Sequence, residues 1–318
     1  MKQVISPLIK AFFLTLLVGI AVSSCKKSNP APGKVKSIYQ TISKDANYSF
    51  LTAAVNKAGL VSALDEVGKS GLTLFAPTND AFKAAGFKGL GDLQAVPDAT
   101  LKAILLYHVL GSKVEAAQIP QASNTPVETL NGKSIFATRT SDNKVFINGV
   151  SVIKANIECT NGVIHAINRV LMPATGTIVE TAIANPNLSL LVAAVLRASQ
   201  GSTNVATILS SAGPFTVFAP TNQAFINAGF ADANAINAAD PNTLTSILTY
   251  HVIEGRIFSS DLTEGAMPAT VNGEKVTISL ANGATVKGKS NTTASKIIAT
   301  DIVTTNGVVH VIDQVLLP

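Results

Sequence analysis

Thr73-Leu74-Phe75-Ala76-Pro77-Thr78-Asn79-Asp80-Ala81-Phe82 returns later in the chain as Thr216-Val217-Phe218-Ala219-Pro220-Thr221-Asn222-Gln223-Ala224-Phe225, an offset of 143. Ala-Gly-Phe follows each copy, at 85–87 and 228–230. At the same offset Leu101, Ile104, Leu105, Tyr107, His108 and Val109 meet Leu244, Ile247, Leu248, Tyr250, His251 and Val252. At offset 145, Asn161-Gly162-Val163-Ile164-His165 meets Asn306-Gly307-Val308-Val309-His310. Three matched blocks in one order define a duplicated domain, Val35 to Pro173 and Ala174 to Pro318. Self-similarity on this scale takes precedence over any local reading.

Inside the block, Thr-Leu-Phe-Ala reads as a short apolar strand that Pro77 stops, because proline cannot donate to a ladder. Thr78 or Asn79 then offers a side-chain oxygen to cap a helix beginning at Asp80, and the joint buries Phe75 and Phe82. Apolar residues at helical spacing mark 37–58 and 177–199, and Asp98 to Leu106 passes the same test. Tyr107 to Leu110 is expected to begin a strand. The later half of each copy carries Asn-Gly hairpin signals at Asn131-Gly132 and Asn272-Gly273, and the closing block turns at Asn161-Gly162 before a largely apolar strand. Helices first and strands later predict an α+β domain, with a small sheet or sandwich partly covered by helices.

These blocks resemble the two signature blocks and the central Tyr-His motif of fasciclin-like domains, over nearly all of residues 35–318. The resemblance implies two tandem domains, each a wedge-shaped β-sandwich with helices covering one side. It also implies a secreted or membrane-anchored adhesion protein without catalytic activity or cofactor, whose residues near the Tyr-His pair contact partners in some members.

Residues 1–24 read as a secretory signal peptide: Lys2 and Lys10, an apolar run from Ala11 to Val22, then Ser23 and Ser24. The run is too short to span a bilayer, which needs about 20 residues. Val22-Ser23-Ser24-Cys25 is similar to a bacterial lipoprotein cleavage box, with Cys25 as the lipidated residue. Residues 25–34 then form a flexible tether with a reach of roughly 17–18 Å. The expected location is the cell envelope, anchored by lipid to the outer membrane and facing the periplasm or the surface.

Of 318 residues, 47% are apolar and 14% charged, as in packed globular proteins. Residues 34–173 carry 14 basic and 10 acidic side chains, net +4; residues 174–318 carry 6 and 9, net −3. The basic half lies next to the anchor, which suits an anionic lipid surface. No run of four or more Lys/Arg occurs, so a solvated surface is the plainer expectation and nucleic acid is excluded as a partner. Cys159 stands where the second copy has Thr304, so an internal disulfide is not expected and the thiol reads as a small buried apolar group.

All four histidines fall in repeated blocks: His108, His165, His251 and His310. No HExxH, Cys/His cluster or GxSxG turn accompanies them, so a metal or catalytic role is not expected. One ring nitrogen bonded to a backbone carbonyl is the expectation. Acids in one copy meet non-acids in the other (Asp80 and Gln223, Glu115 and Phe258, Glu158 and Val303), so paired-carboxylate chemistry could exist in one copy at most. The candidate partner-binding residues are Tyr107, His108 and Lys113, with Tyr250, His251 and Arg256 in the second copy. Two readings stand for them: contacts on an adhesive face, or buried tyrosines with bonded hydroxyls beside solvated charges. The expected function is adhesion or extracellular interaction with an envelope or extracellular protein or glycan. The alternative is a carrier of an apolar small molecule, a pigment or lipid. Neither reading fixes an oligomeric state.

Overall fold

The computed structural model describes residues 35–66 and 71–318; the signal peptide, Cys25 and the tether lie outside the described residues. The first copy begins with α1 (Ile38–Lys44), α2 (Ser49–Lys57) and α3 (Val61–Asp65), then β1 (Leu72–Pro77), α4 (Asn79–Ala84), α5 (Leu90–Gln94) and α6 (Asp98–Tyr107). Strands β2 (Val109–Leu110), β3 (Thr125–Glu128), β4 (Ser134–Arg139), β5 (Val145–Ile147), β6 (Val150–Cys159) and β7 (Gly162–Ile167) complete it. The second copy repeats the order with α7 (Ile178–Ile183), α8 (Ser189–Ala198), α9 (Val205–Ser210), β8 (Phe215–Pro220), α10 (Asn222–Asn227), α11 (Ala233–Ala238) and α12 (Pro241–Tyr250). It closes with β9 (Val252–Glu254), β10 (Thr277–Ser279), β11 (Thr285–Lys287), β12 (Ser295–Thr304) and β13 (Gly307–Ile312).

Each copy builds one continuous sheet, in the order β2-β1-β7-β6-β5-β4-β3 and β10-β11-β12-β13-β8-β9. The signature strand lies parallel to the closing strand, Phe75 opposite His165 and Phe218 opposite His310. The sandwich expected from the resemblance is this one sheet curled on itself. The bend sits in β6 and β12, whose pairing slips twice along its length. Asn156 and Asp301 occupy the left-handed region there (φ 57° and 64°), a conformation that Asn and Asp tolerate better than most residues.

Because the sheet curls, β1 and β7 are buried on both faces. Leu74, Ala76, Ile164 and Ala166 point to a core shared with Ile38, Leu51, Val55 and Leu105 of the helices. Phe75 and Ile167 point the other way, to Ile135, Ala137 and Ile147 across the fold of the sheet. The second copy has the same two cores, and none of the four clusters mixes residues from the two halves. No helix among the described residues is long and apolar enough to cross a membrane.

The helical spacing over 37–58 is realised as two helices, because Asp45 ends α1 and caps a short 3-10 turn at Ala46–Tyr48 with its carboxylate. One local expectation is corrected. Tyr107 is the last residue of α6 and His108 its C-cap, so the strand begins only at Val109. All four side chains of 107–110 are buried whether the backbone is helix or strand, which is why the helical period alone did not place the boundary.

Candidate functional site

The repeated blocks are explained by backbone groups that need partners. Thr78 and Thr221 cap their own helices by accepting from Ala81 N and Ala224 N. The next residue reaches elsewhere: Asn79 Oδ1 accepts from Phe50 N at 3.1 Å, and Asn222 Oδ1 from Leu190 N at 2.9 Å. Each Asn thus satisfies a donor at the start of α2 or α8, where the first turn has no intrahelical acceptor. Asn161 and Asn306 do the same for α1 and α7, accepting from Ile38 N and Ile178 N at 2.9 Å and donating to Leu64 O and Leu209 O. The glycine after each Asn permits the parallel strand to close. A Cβ on Gly162 would lie 2.0 Å from Leu72 O, and one on Gly307 2.2 Å from Phe215 O.

Tyr107 and Tyr250 are fully buried. Tyr107 Oη donates to Ser134 O at 2.9 Å and accepts from Asn148 Nδ2 at 2.9 Å; Tyr250 Oη donates to Lys275 O and accepts from Lys289 N. His108 Nδ1 donates to Ile104 O at 2.8 Å, while Nε2 accepts from Leu171 N at 2.9 Å. His251 repeats this with Ile247 O and Leu316 N, both at 2.8 Å. These rings are therefore neutral and bolt the helix end to the chain after the closing strand. Burial pushes both down to about 4. His165 and His310 are held the same way, Nε2 donating to Val114 O and Ile257 O at 2.9 Å, and burial lowers their pKa values as well.

Of the six candidate contact residues, four thus lie inside, out of a partner's reach. Lys113 is at the surface between Glu158 (2.9 Å) and Glu115 (3.2 Å); the hydrogen bond it donates to the Glu158 carboxylate raises its pKa. Arg256, its counterpart, lies against the first domain. Its guanidinium carbon sits 4.1 Å from the centroid of the Phe136 ring, a cation–π geometry. Burial lowers its pKa to about 10, and its Nη1 donates to Gly307 O.

Around this stack the two domains are latched. Phe136 of the first meets Phe258 of the second, centroids 6.1 Å apart. Asn124 Nδ2 donates to Arg256 O at 2.7 Å and Asp261 Oδ2 at 3.0 Å. Arg169 Nη1 reaches Asp301 Oδ2 at 3.3 Å and Thr300 Oγ1 at 3.1 Å. The Asp301 side chain is 1% exposed and also accepts from Ser259 N and Oγ at 2.7 and 2.6 Å. The Asn148-Gly149 turn abuts it so closely that a Cβ on Gly149 would fall 2.7 Å from its carboxyl carbon. Among the described residues no group of three or more His, Cys, Asp or Glu is placed to hold a metal.

The Fasciclin domain profile matches this chain twice, over residues 46–173 and 187–318. The chain belongs to the fasciclin family. Protein sll1483 of Synechocystis sp. is 40% identical over 144 residues, 45% of this chain and 73% of that one. Human periostin is 29% identical over 252 residues, 79% of this chain but only 29% of periostin. A fasciclin-like arabinogalactan protein of Arthroderma benhamiae is 30% identical over 303 residues, 89% of this chain and 67% of that one. A solved FAS1 domain pair from the insect cell adhesion molecule fasciclin I covers 85% of this chain and 96% of its own, at 20% identity and a TM-score of 0.42. Fasciclin domains thus account for both halves, and the Tyr-His motif in each is an internal fastening. The latch between the fasciclin domains was not visible in sequence, because Arg169, Phe136 and Asp301 belong to no repeated pattern.

Proposed function

We propose that this chain is a lipid-anchored cell-envelope protein that acts in adhesion or extracellular interaction through its two fasciclin domains, without catalysis. Fasciclin-family relatives are linked to adhesion or extracellular interaction. The observation that carries the reading is the latch: Arg256 on Phe136 and Arg169 on Asp301 join two separately cored domains into one body. A body of fixed shape presents its outer faces at a fixed spacing, which lowers the ordering cost of binding an envelope or extracellular protein or glycan. Cys25 supplies the anchor, and the protein resides at the outer membrane. Two acyl chains, at about 0.8 kcal/mol per buried methylene, hold a protein there stably.

Deleting residues 34–318 in the parent cell is expected to reduce cell aggregation or surface attachment. No change in either would overturn the adhesive role. Metabolic labelling with palmitate is expected to mark the wild type and not Cys25→Ala; an unlabelled wild type would overturn the anchor.

The second reading, an apolar small-molecule carrier, is favoured by a groove between α7 and α8. Val179, Ile183, Val192 and Leu196 line it, with Ile183 62% and Leu196 61% exposed. At the same place in the first domain Tyr39 Oη donates to Asn56 Oδ1 at 2.9 Å. The enclosed space in the second domain is about 80 Å³, well under the roughly 300–1,000 Å³ of ligand pockets. It suits a short aliphatic tail better than a whole pigment. Organic extraction of protein purified from its host decides it: a stoichiometric lipid supports the carrier, a clean extract removes it.

A further inference from the structure

The first fasciclin domain carries an amphipathic face that its sister lacks. Leu130 and Met172, 47% and 57% exposed, share an open trough with Ile104, Leu106, Lys102 and Lys133, and no carboxylate lines it. The scaffold under it is fixed. Leu130 N donates to Val109 O at 2.8 Å, Asn131 Nδ2 to Ala103 O at 3.2 Å, and Lys133 Nζ to Ala174 O. Neither lysine has a carboxylate partner among the ion pairs of the described residues.

The repeat supplies an internal control. The matched blocks place Thr245 at the position of Lys102 and Leu317 at that of Met172, and aligning the Asn131-Gly132 turn with Asn272-Gly273 places Val271 at that of Leu130 and Glu274 at that of Lys133. Glu274 is moreover paired with Lys289 at 3.0 Å. The fold therefore does not require two cations without carboxylate partners beside two protruding apolar side chains. Only the domain nearer Cys25 has them.

We infer that this face of the first domain is a contact surface for an anionic lipid bilayer: Leu130 and Met172 enter the headgroup region and Lys102 and Lys133 meet lipid phosphates. The occupant follows from charge and from chain length. An apolar pair rimmed by lysines that have no carboxylate partner matches an interface of acyl chains under anionic headgroups. The ten residue steps from Cys25 to Val35 can extend at most about 35 Å, so an anchored chain keeps this domain beside the membrane. That second argument rests on the lipid-anchored reading of Cys25; the first does not.

The test therefore uses unlipidated protein, residues 35–318, which form one compact unit with all four cores. The measurement is co-sedimentation with phosphatidylglycerol-containing vesicles and with pure phosphatidylcholine vesicles. Binding is expected on the anionic vesicles only, weakening about fivefold for each of Lys102→Gln and Lys133→Gln. It is expected to disappear in the Leu130→Ser/Met172→Ser variant and to fade in 1 M salt. Lys83→Gln, the same charge change on α4, is expected to leave binding unchanged, and circular dichroism checks that each variant is folded. No sedimentation with anionic vesicles at low salt, equal binding to both vesicle types, or binding indifferent to the trough variants would each overturn the inference. Any of these leaves the palmitate-labelling test of Cys25 untouched.

Discussion

His108 and His251 each spend one ring nitrogen as donor and the other as acceptor, both on backbone. Protonation would turn the acceptor into a second donor facing Leu171 N–H or Leu316 N–H, so the folded chain resists it. The folded pKa is about 4 for both, against about 6.5 in the unfolded chain. The depressed value fixes the sign: below pH 6.5 the unfolded state takes up protons that the folded state refuses. Stability is therefore full above about pH 6.5 and falls as the pH drops towards 4, by up to about 3 kcal/mol per histidine. Urea titrations at about pH 7.5 and 4.5 should show this loss. His108→Leu should be less stable at the higher pH, with Leu171 N–H left unpaired, and should lose less on acidification. A midpoint that does not move with pH in the wild type would contradict the assignment.

At the scale of elements, much of this fold could be read from residues, and the limits are physical. Period and punctuation revealed the strand and helix of the signature block and the apolar closing strand, because those depend on neighbours in sequence. The parallel pairing of β1 with β7 was not legible. It rests on Gly162 approaching Leu72, 90 positions away, and on Asn161 fastening α1 from the far end of the domain. Asn161 read as a turn former, which it is, but its side chain also holds Ile38 N–H and Leu64 C=O in a fully buried site. Asn161→Ala orphans both groups at once, and each costs about 1–3 kcal/mol. We expect a loss of about 2–4 kcal/mol in global stability, and early hydrogen exchange in α1 if that helix detaches first. An Asn161→Ala protein with wild-type stability would show that water replaces the side chain and that the fastening is incidental.

The whole molecule depends on which surfaces meet, and here the two copies diverge. Asn156 lies exposed on the first domain at the position where Asp301 is sealed against Arg169 and Ser259. Lys113 likewise sits in solvent where Arg256 covers Phe136. One copy has kept the face open and the other uses it for docking, a distinction that the repeat conceals because it aligns positions and not neighbours. The candidate site was legible to the same extent: the Tyr-His pairs stand out by recurrence, while recurrence cannot separate a buried bolt from a surface contact. If the latch sets the shape, Arg169→Ala should loosen it, since a buried carboxylate then loses its counter-charge. For fully buried pairs the cost is about 3–5 kcal/mol. Arg169 is 43% exposed and water will screen part of the charge, so about 1–3 kcal/mol is the better expectation. That loss should fall on docking and leave the separate cores intact. X-ray scattering should report a larger radius of gyration, and calorimetry should show two transitions where the wild type is expected to show one. Asp301→Asn added to Arg169→Ala removes the stranded charge while keeping an oxygen for Ser259, and should bring the compact form partly back. A compact Arg169→Ala protein that still melts in one step would mean that the Arg256–Phe136–Phe258 stack holds the domains alone.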